Sequence, residues 1–239
     1  HAQEIGNRDF NAISDGQKQR IMLARAICQE PEIIVLDEPT SYLDIRYKLE
    51  LLDILKRMAK EKGITVLMSL HEIDLAQKCA DRIVCVRGEE IMAYGTPEEV
   101  FYEETIEKLY DLDNGSYNPL SGSLELKKTE GEPEVFVISS GGNGTPIYRK
   151  LQREGRPFAA GILYTNDVDY QAARVLASKI ITEEPFEEIS DNTYKNAENM
   201  IDQCQIVVNA GVHIGSCNHR MRNLLQYAQE KGKLKRDYL

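Results

Sequence analysis

Apolar positions follow two rhythms along this chain of 239 residues. Ile21, Ala24, Ile27 and Cys28 recur at helical spacing, and Ser14 with Gln17 three positions on forms a capping-box pattern. The spacing predicts a helix over 14–29, closed by Pro31. Ile33, Ile34, Val35 and Leu36 then run unbroken, as in a strand buried on both faces of a parallel sheet. Ile45, Leu49, Leu52 and Leu55 mark an amphipathic helix that stops at Gly63. A second buried strand is expected over 64–70 and a helix over 72–80. The runs 83–86 and 90–94 flank Arg87-Gly88-Glu89 as a hairpin. Thr96-Pro97-Glu98-Glu99, with Pro in the first helical position, opens another helix.

The pattern lapses between about 111 and 134. Asn114-Gly115, Asn118-Pro119, Ser121-Gly122-Ser123 and Gly131-Glu132-Pro133 are turn and linker signals. Beyond them strands (135–139, 159–164, 179–181, 205–210) alternate with helices (145–153, 170–177, 193–204, 221–230). That alternation implies right-handed βαβ units on a parallel sheet. The expected organisation is α/β throughout: a first domain over 1–110, a linker over 111–133, and a small Rossmann-like domain over 134–239.

Composition narrows the function classes. No apolar run reaches the roughly 20 residues of a membrane helix, and the N-terminus lacks a basic-then-apolar leader. The net charge of -10 argues against non-specific nucleic-acid binding. Cys28, Cys79, Cys85, Cys204 and Cys217 show no CxxC or zinc spacing, and most read as small core residues of a reducing compartment. His1 stands without an initiator Met and reads as a tag remnant or the edge of a longer protein.

The chemistry gathers at the ends of the first two strands. Asp37 and Glu38 close the first. An aspartate at a strand end can hold Mg²⁺ beside a polyphosphate, and its neighbour can orient or deprotonate a water. The plain alternative is a solvated acidic loop. His71 closes the second strand and can bond a terminal phosphate or serve only as a surface histidine. Ser14 and Gly16 open a helix whose free N–H groups suit an anion; Ser14 and Gln17 equally suit a cap. In the second domain, Gly142, Asn143 and Gly144 lie in a turn that follows a strand and opens a helix. Asn166, Asp167 and Asp169 follow the next strand. A small ligand there competes with the reading of a tight turn beside solvated acids. His213, Cys217 and His219 read as helix-start and loop residues rather than a metal set.

Together these segments resemble ABC-type ATPases over about residues 7–110. ISDGQKQR resembles the signature motif, IIVLDEPTSYLD the Walker B strand and D-loop, and LMSLHE the switch-histidine segment. The resemblance implies that Asp37 serves Mg²⁺, Glu38 is the general base and His71 the switch histidine. It implies that Ser14, Gly16, Gln17 and the D-loop aspartate Asp44 meet ATP bound to a second ATPase subunit in a head-to-tail homodimer. Within the family, SYLDIRYKLELLDIL and SDGQ look most like ATPases of importers for iron-siderophore, haem and cobalamin. Those work with integral-membrane permease subunits at the cytoplasmic face. Asp15 stands where the signature usually has glycine. No GxxxxGK[ST] loop occurs, nor the Gln-bearing loop the family places before the signature. The chain therefore reads as the C-terminal part of a larger ATPase, inactive alone. Two other classes compete: a soluble ABC ATPase acting on DNA, which should carry a long coiled coil or basic surface and shows neither, and a non-catalytic α/β protein that senses a small ligand or dimerises.

Overall fold

The computed structural model describes residues 6–119, 122–235 and 238. His1 and Ser121, both read above, lie outside them. The chain divides into two compact units, His1–Phe101 and Tyr102–Leu239.

In the first unit, α1 (Asp15–Ile27) leads to β1 (Ile33–Leu36), α2 (Ile45–Lys62), β2 (Thr65–Met68) and α3 (Ile73–Cys79). β1 and β2 pair in parallel, with Leu36 beside Met68. The paired strands are not buried on both faces as their apolar run predicts. Ile34 is 4% exposed, against 62% for Ile33 and 70% for Val35. The reason is one-sided packing. Ile34 and Leu36 meet Met58 and Leu55 of α2, with Ile27 and Leu23 of α1 beside them. Gly63 ends α2 at φ +67°, a left-handed cap that glycine adopts without strain. The expected hairpin is present as β3 (Ile83–Arg87) and β4 (Glu90–Gly95), followed by α4 (Pro97–Val100) with its capping box formed.

The second unit begins with α5 (Glu103–Tyr110) and the antiparallel pair β5 (Gly115–Asn118) and β6 (Ser123–Leu126). β5 and β6 lie within the stretch 111–133 that reads as linker. β7 (Val135–Ile138), α6 (Thr145–Arg153), β8 (Phe158–Tyr164), α7 (Val168–Leu176), β9 (Lys179–Glu183), α8 (Asp191–Gln203), β10 (Ile206–Asn209), α9 (Met221–Glu230) and β11 (Leu234–Lys235) complete it. Five parallel strands lie in the order β11-β10-β7-β8-β9. All four residues of β7 are buried. One of its faces packs with Ile147, Tyr148 and Leu151 of α6 and Ala173 and Leu176 of α7. The other packs with Ala197 and Ile201 of α8 and Leu224 of α9. Here the apolar runs do mark strands covered on both sides. Among the described residues, no helix is long and apolar enough to cross a membrane.

Candidate active site at two strand ends

Parallel pairing of β1 and β2 delivers their C-terminal residues to one edge, where an open α/β sheet presents its loops. The Ser69 N–H donates to the Leu36 carbonyl at 3.0 Å, continuing the ladder one step beyond the strands. The chain then turns sharply: Glu38 has φ +41°, a left-handed value costly for a residue with a β-carbon. Ser69 holds that turn. Its Oγ accepts the Glu38 N–H at 2.8 Å and donates to Asp37 Oδ1 at 2.7 Å. Nothing in the spacing of the sequence singles out Ser69; only the cross-strand register brings it to this place.

The Glu38 carboxylate is gripped from both sides. His71 Nε2 lies 2.7 Å from Oε1, and Ser41 Oγ donates to Oε2 at 2.8 Å. Asp37, Glu38 and His71 therefore meet at one edge. The His71 hydrogen bond, then that of Ser41, holds the Glu38 carboxyl below its ordinary range. Reciprocally, the hydrogen bond and charge of Glu38 raise His71 above its ordinary value. Both side chains are open to solvent, 46% and 72% exposed, so the pair is a screened surface contact and not a buried lock. Glu72, next in the chain, is lowered chiefly by the Lys48 ammonium that bonds it.

Mg²⁺ takes one or two carboxylates and completes its shell with water and phosphate oxygens. Asp37 offers that hard-oxygen chemistry: Ser69 engages Oδ1, fixing the orientation of the carboxylate at the exposed strand end. The residues present fit the ion.

The signature residues carry structural duties as well. Ser14 Oγ accepts the Gln17 N–H at 3.3 Å, and Gln17 Oε1 accepts the Ser14 N–H at 3.0 Å. That reciprocal box starts α1. A β-carbon at Gly16 would stand 3.1 Å from both the Tyr42 carbonyl and Leu43 Cδ2, so the helix start lies close against the loop that leads to Asp44. Asp44 itself caps α2, accepting the Tyr47 N–H at 3.1 Å. Asp15 turns to solvent and pairs with Lys18 at 3.0 Å.

Gly142, Asn143 and Gly144 lie in the other unit, in the turn between β7 and α6. The amides around them already have anionic partners. Asp167 accepts from the Gly141 N–H at 3.0 and 3.1 Å. Fully buried Asp169 accepts from the N–H groups of Gly144 at 2.9 Å and Thr145 at 3.0 Å. Asn143 Nδ2 donates to the Gly211 carbonyl, and Ser140 Oγ accepts the His213 N–H. Cys217 reaches the Phe186 carbonyl and His219 the Ser216 carbonyl. Among the described residues, no group of three His, Cys, Asp or Glu side chains could hold a metal ion.

The ABC transporter family model matches residues 1–41, and the MJ0874 family model matches residues 158–235. Over residues 1–41 the first unit is similar to ABC transporter ATPases. An uncharacterised ABC transporter ATP-binding protein of Methanocaldococcus jannaschii is 38% identical over 68% of this chain and 57% of its own length. A cobalamin import ATP-binding protein of Halobacterium salinarum is 27% identical over 81% of this chain and 50% of its own. A petrobactin import ATP-binding protein of Bacillus anthracis is 39% identical over 50% and 44%, respectively. The chain thus spans about half the length of these curated ABC relatives.

Proposed function

We propose that the first unit supplies the hydrolytic end and the signature face of an ATP site in an ABC importer. The observation that carries this reading is the meeting of Asp37, Glu38 and His71 at the ends of two paired strands, with His71 Nε2 2.7 Å from Glu38 Oε1. Asp37 is assigned to Mg²⁺, which when bound offsets charge on the β- and γ-phosphates. Glu38 is assigned to accept the proton of the attacking water. In the geometry described, two hydrogen bonds weaken Glu38 as a base, and it strengthens when His71 turns from it toward a terminal phosphate. Ser14, Gly16, Gln17 and Asp44 are assigned to the nucleotide of a second subunit in a head-to-tail dimer.

The names of the cobalamin import, petrobactin import and siderophore transport relatives support a cargo of the siderophore or cobalamin class, within the iron-chelate, haem and cobalamin range read from the sequence. In this reading the ATPase sits on permease subunits at the cytoplasmic face of the membrane. The second unit is a regulatory or dimerising module. A small anion at Gly142, Asn143 and Gly144 would have to compete with Asp167 and Asp169 for the neighbouring amides.

These 239 residues hold no GxxxxGK[ST] loop, the element that cradles phosphates in cis. ATP turnover is therefore expected from the polypeptide encoded by the whole gene and absent from these 239 residues alone. Glu38→Gln should lower kcat at least about 100-fold while ATP binding is kept. Turnover by the 239-residue chain that Glu38→Gln abolishes would overturn the need for an added phosphate cradle. Undiminished kcat in the variant would remove Glu38 as the base.

A further inference from the structure

Glu72 follows His71 and is the N-cap residue of α3, yet its side chain makes no cap hydrogen bond there. The carboxylate goes elsewhere. Oε2 accepts from Thr40 Oγ1 at 2.9 Å, and Oε1 takes the Lys48 ammonium. Thr40 is 1% exposed, and the Lys48 and Glu72 side chains are 24% and 29% exposed. These contacts are therefore better shielded from solvent than the Glu38–His71 pair.

The places that Glu72 grips are informative. Thr40 lies in the loop between Glu38 and Asp44, whose turns are closed by Ser41 N–H to Glu38 O at 3.1 Å and Leu43 N–H to Thr40 O at 3.2 Å. Lys48 sits one helical turn beyond Asp44, and its N–H bonds the Asp44 carbonyl at 2.9 Å. The loop is thus held on either side of Ser41 and Asp44. The two groups that clasp the Glu38 carboxylate are His71, adjacent to Glu72 in the chain, and Ser41, adjacent to Thr40. Glu72 joins both arms of that clasp.

We propose that Glu72 is a positioning residue: it locks the loop carrying Ser41 and Asp44 to the strand end carrying His71, and so sets the orientation of Glu38. This deepens the ATPase reading above and rests on it for its catalytic consequence. The Glu72 carboxylate is taken up by Thr40 and Lys48. It also ties Asp44, assigned to the neighbouring subunit's nucleotide, to His71, assigned to the chain's own.

Hydrogen exchange on the 239-residue chain tests the lock without any turnover. Glu72→Gln and Thr40→Val should each raise exchange of the amides over 41–44 about tenfold, with β2 and the second half of α2 unchanged. Thr40→Ser, which keeps the hydroxyl, should restore the wild-type pattern, and Thr40→Val added to Glu72→Gln should change little more. Unchanged exchange over 41–44, or a rise spread evenly through the first unit, would overturn the proposal. In the whole-gene polypeptide, Glu72→Gln should lower kcat about 10- to 100-fold with the KM for ATP held, as loss of an outer partner does elsewhere. A wild-type kcat in that variant also overturns it. If the wild-type polypeptide hydrolyses nothing, the ATPase reading fails, and the exchange result alone decides whether Glu72 is the lock.

Discussion

A glutamate placed in a left-handed turn and held by three neighbours is the centre of the first unit at the scale of single residues. Its bond to His71 has a definite pH signature. His71 is raised above 6.5 by that bond, so its contribution is full below 6.5 and fades as pH rises through the raised value. Glu38 is lowered below 4.5, so its contribution is full above 4.5 and fades as pH falls through the lowered value. The pair is therefore at its strongest between these two ordinary values. Solvent screening keeps its effect on stability small, and the expected readout is the titration of the His71 ring by NMR. Its midpoint should lie above 6.5 in the wild type and fall back in Glu38→Gln. A wild-type midpoint at or below 6.5 would show that the contact does not persist in solution. Asp37, Glu38 and His71 were legible in the sequence because each follows an apolar run. Ser69 and the Glu72 carboxylate were not, because their roles depend on register and side-chain direction across 31 and 32 positions of chain.

At the scale of elements, apolar rhythm located the regular structure well wherever both the period and its terminators were strong. The capping boxes at Ser14 and Thr96 appear as read, and so does the helix stop at Gly63. Rhythm located burial less well: an unbroken apolar run predicts two covered faces for β1 and β7 alike, and only β7 has them. The turn before α6 shows another limit. Its glycines suggest an open anion site, but the start of the helix is capped from α7. Asp169 is 0% exposed and accepts two backbone N–H groups together with Thr145 Oγ1 at 3.1 Å. Removing it leaves shielded donors without a partner, at about 1–3 kcal/mol each. Asp169→Ala should destabilise the second unit by about 3 kcal/mol or more, and Asp169→Asn by less, since its carbonyl still accepts. Denaturant-dependent exchange of the β7 and β8 amides measures this. Equal protection in wild type and Asp169→Ala would mean that water replaces the carboxylate.

At the scale of the whole chain, the point of interest is where the second unit begins. Turn residues between 111 and 133 read as a linker because Gly, Asn, Ser and Pro crowd there, and a short polar hairpin carries little apolar signal. Yet Tyr117 of β5 and Ile106 of α5 are both 0% exposed. Glu125 of β6, 8% exposed, pairs with Arg149 of α6. Gln152 Nε2 donates to the Leu126 carbonyl at 2.8 Å, and Arg174 of α7 reaches Glu103 at 3.2 Å. Through these contacts the hairpin meets α6 and α5 meets α7. A polypeptide of residues 102–239 should therefore unfold at a higher denaturant concentration than one of residues 134–239. Burying one large apolar side chain contributes about 1.5–3 kcal/mol, so losing Tyr117 and Ile106 alone predicts a difference of about 3 kcal/mol or more. Arg149→Met in the longer polypeptide should recover only part of that difference. It leaves Glu125 without its cation but keeps the buried ring of Tyr117 in place. Identical unfolding midpoints for the two polypeptides would return the hairpin to the status of a linker and move the start of the domain to Glu134.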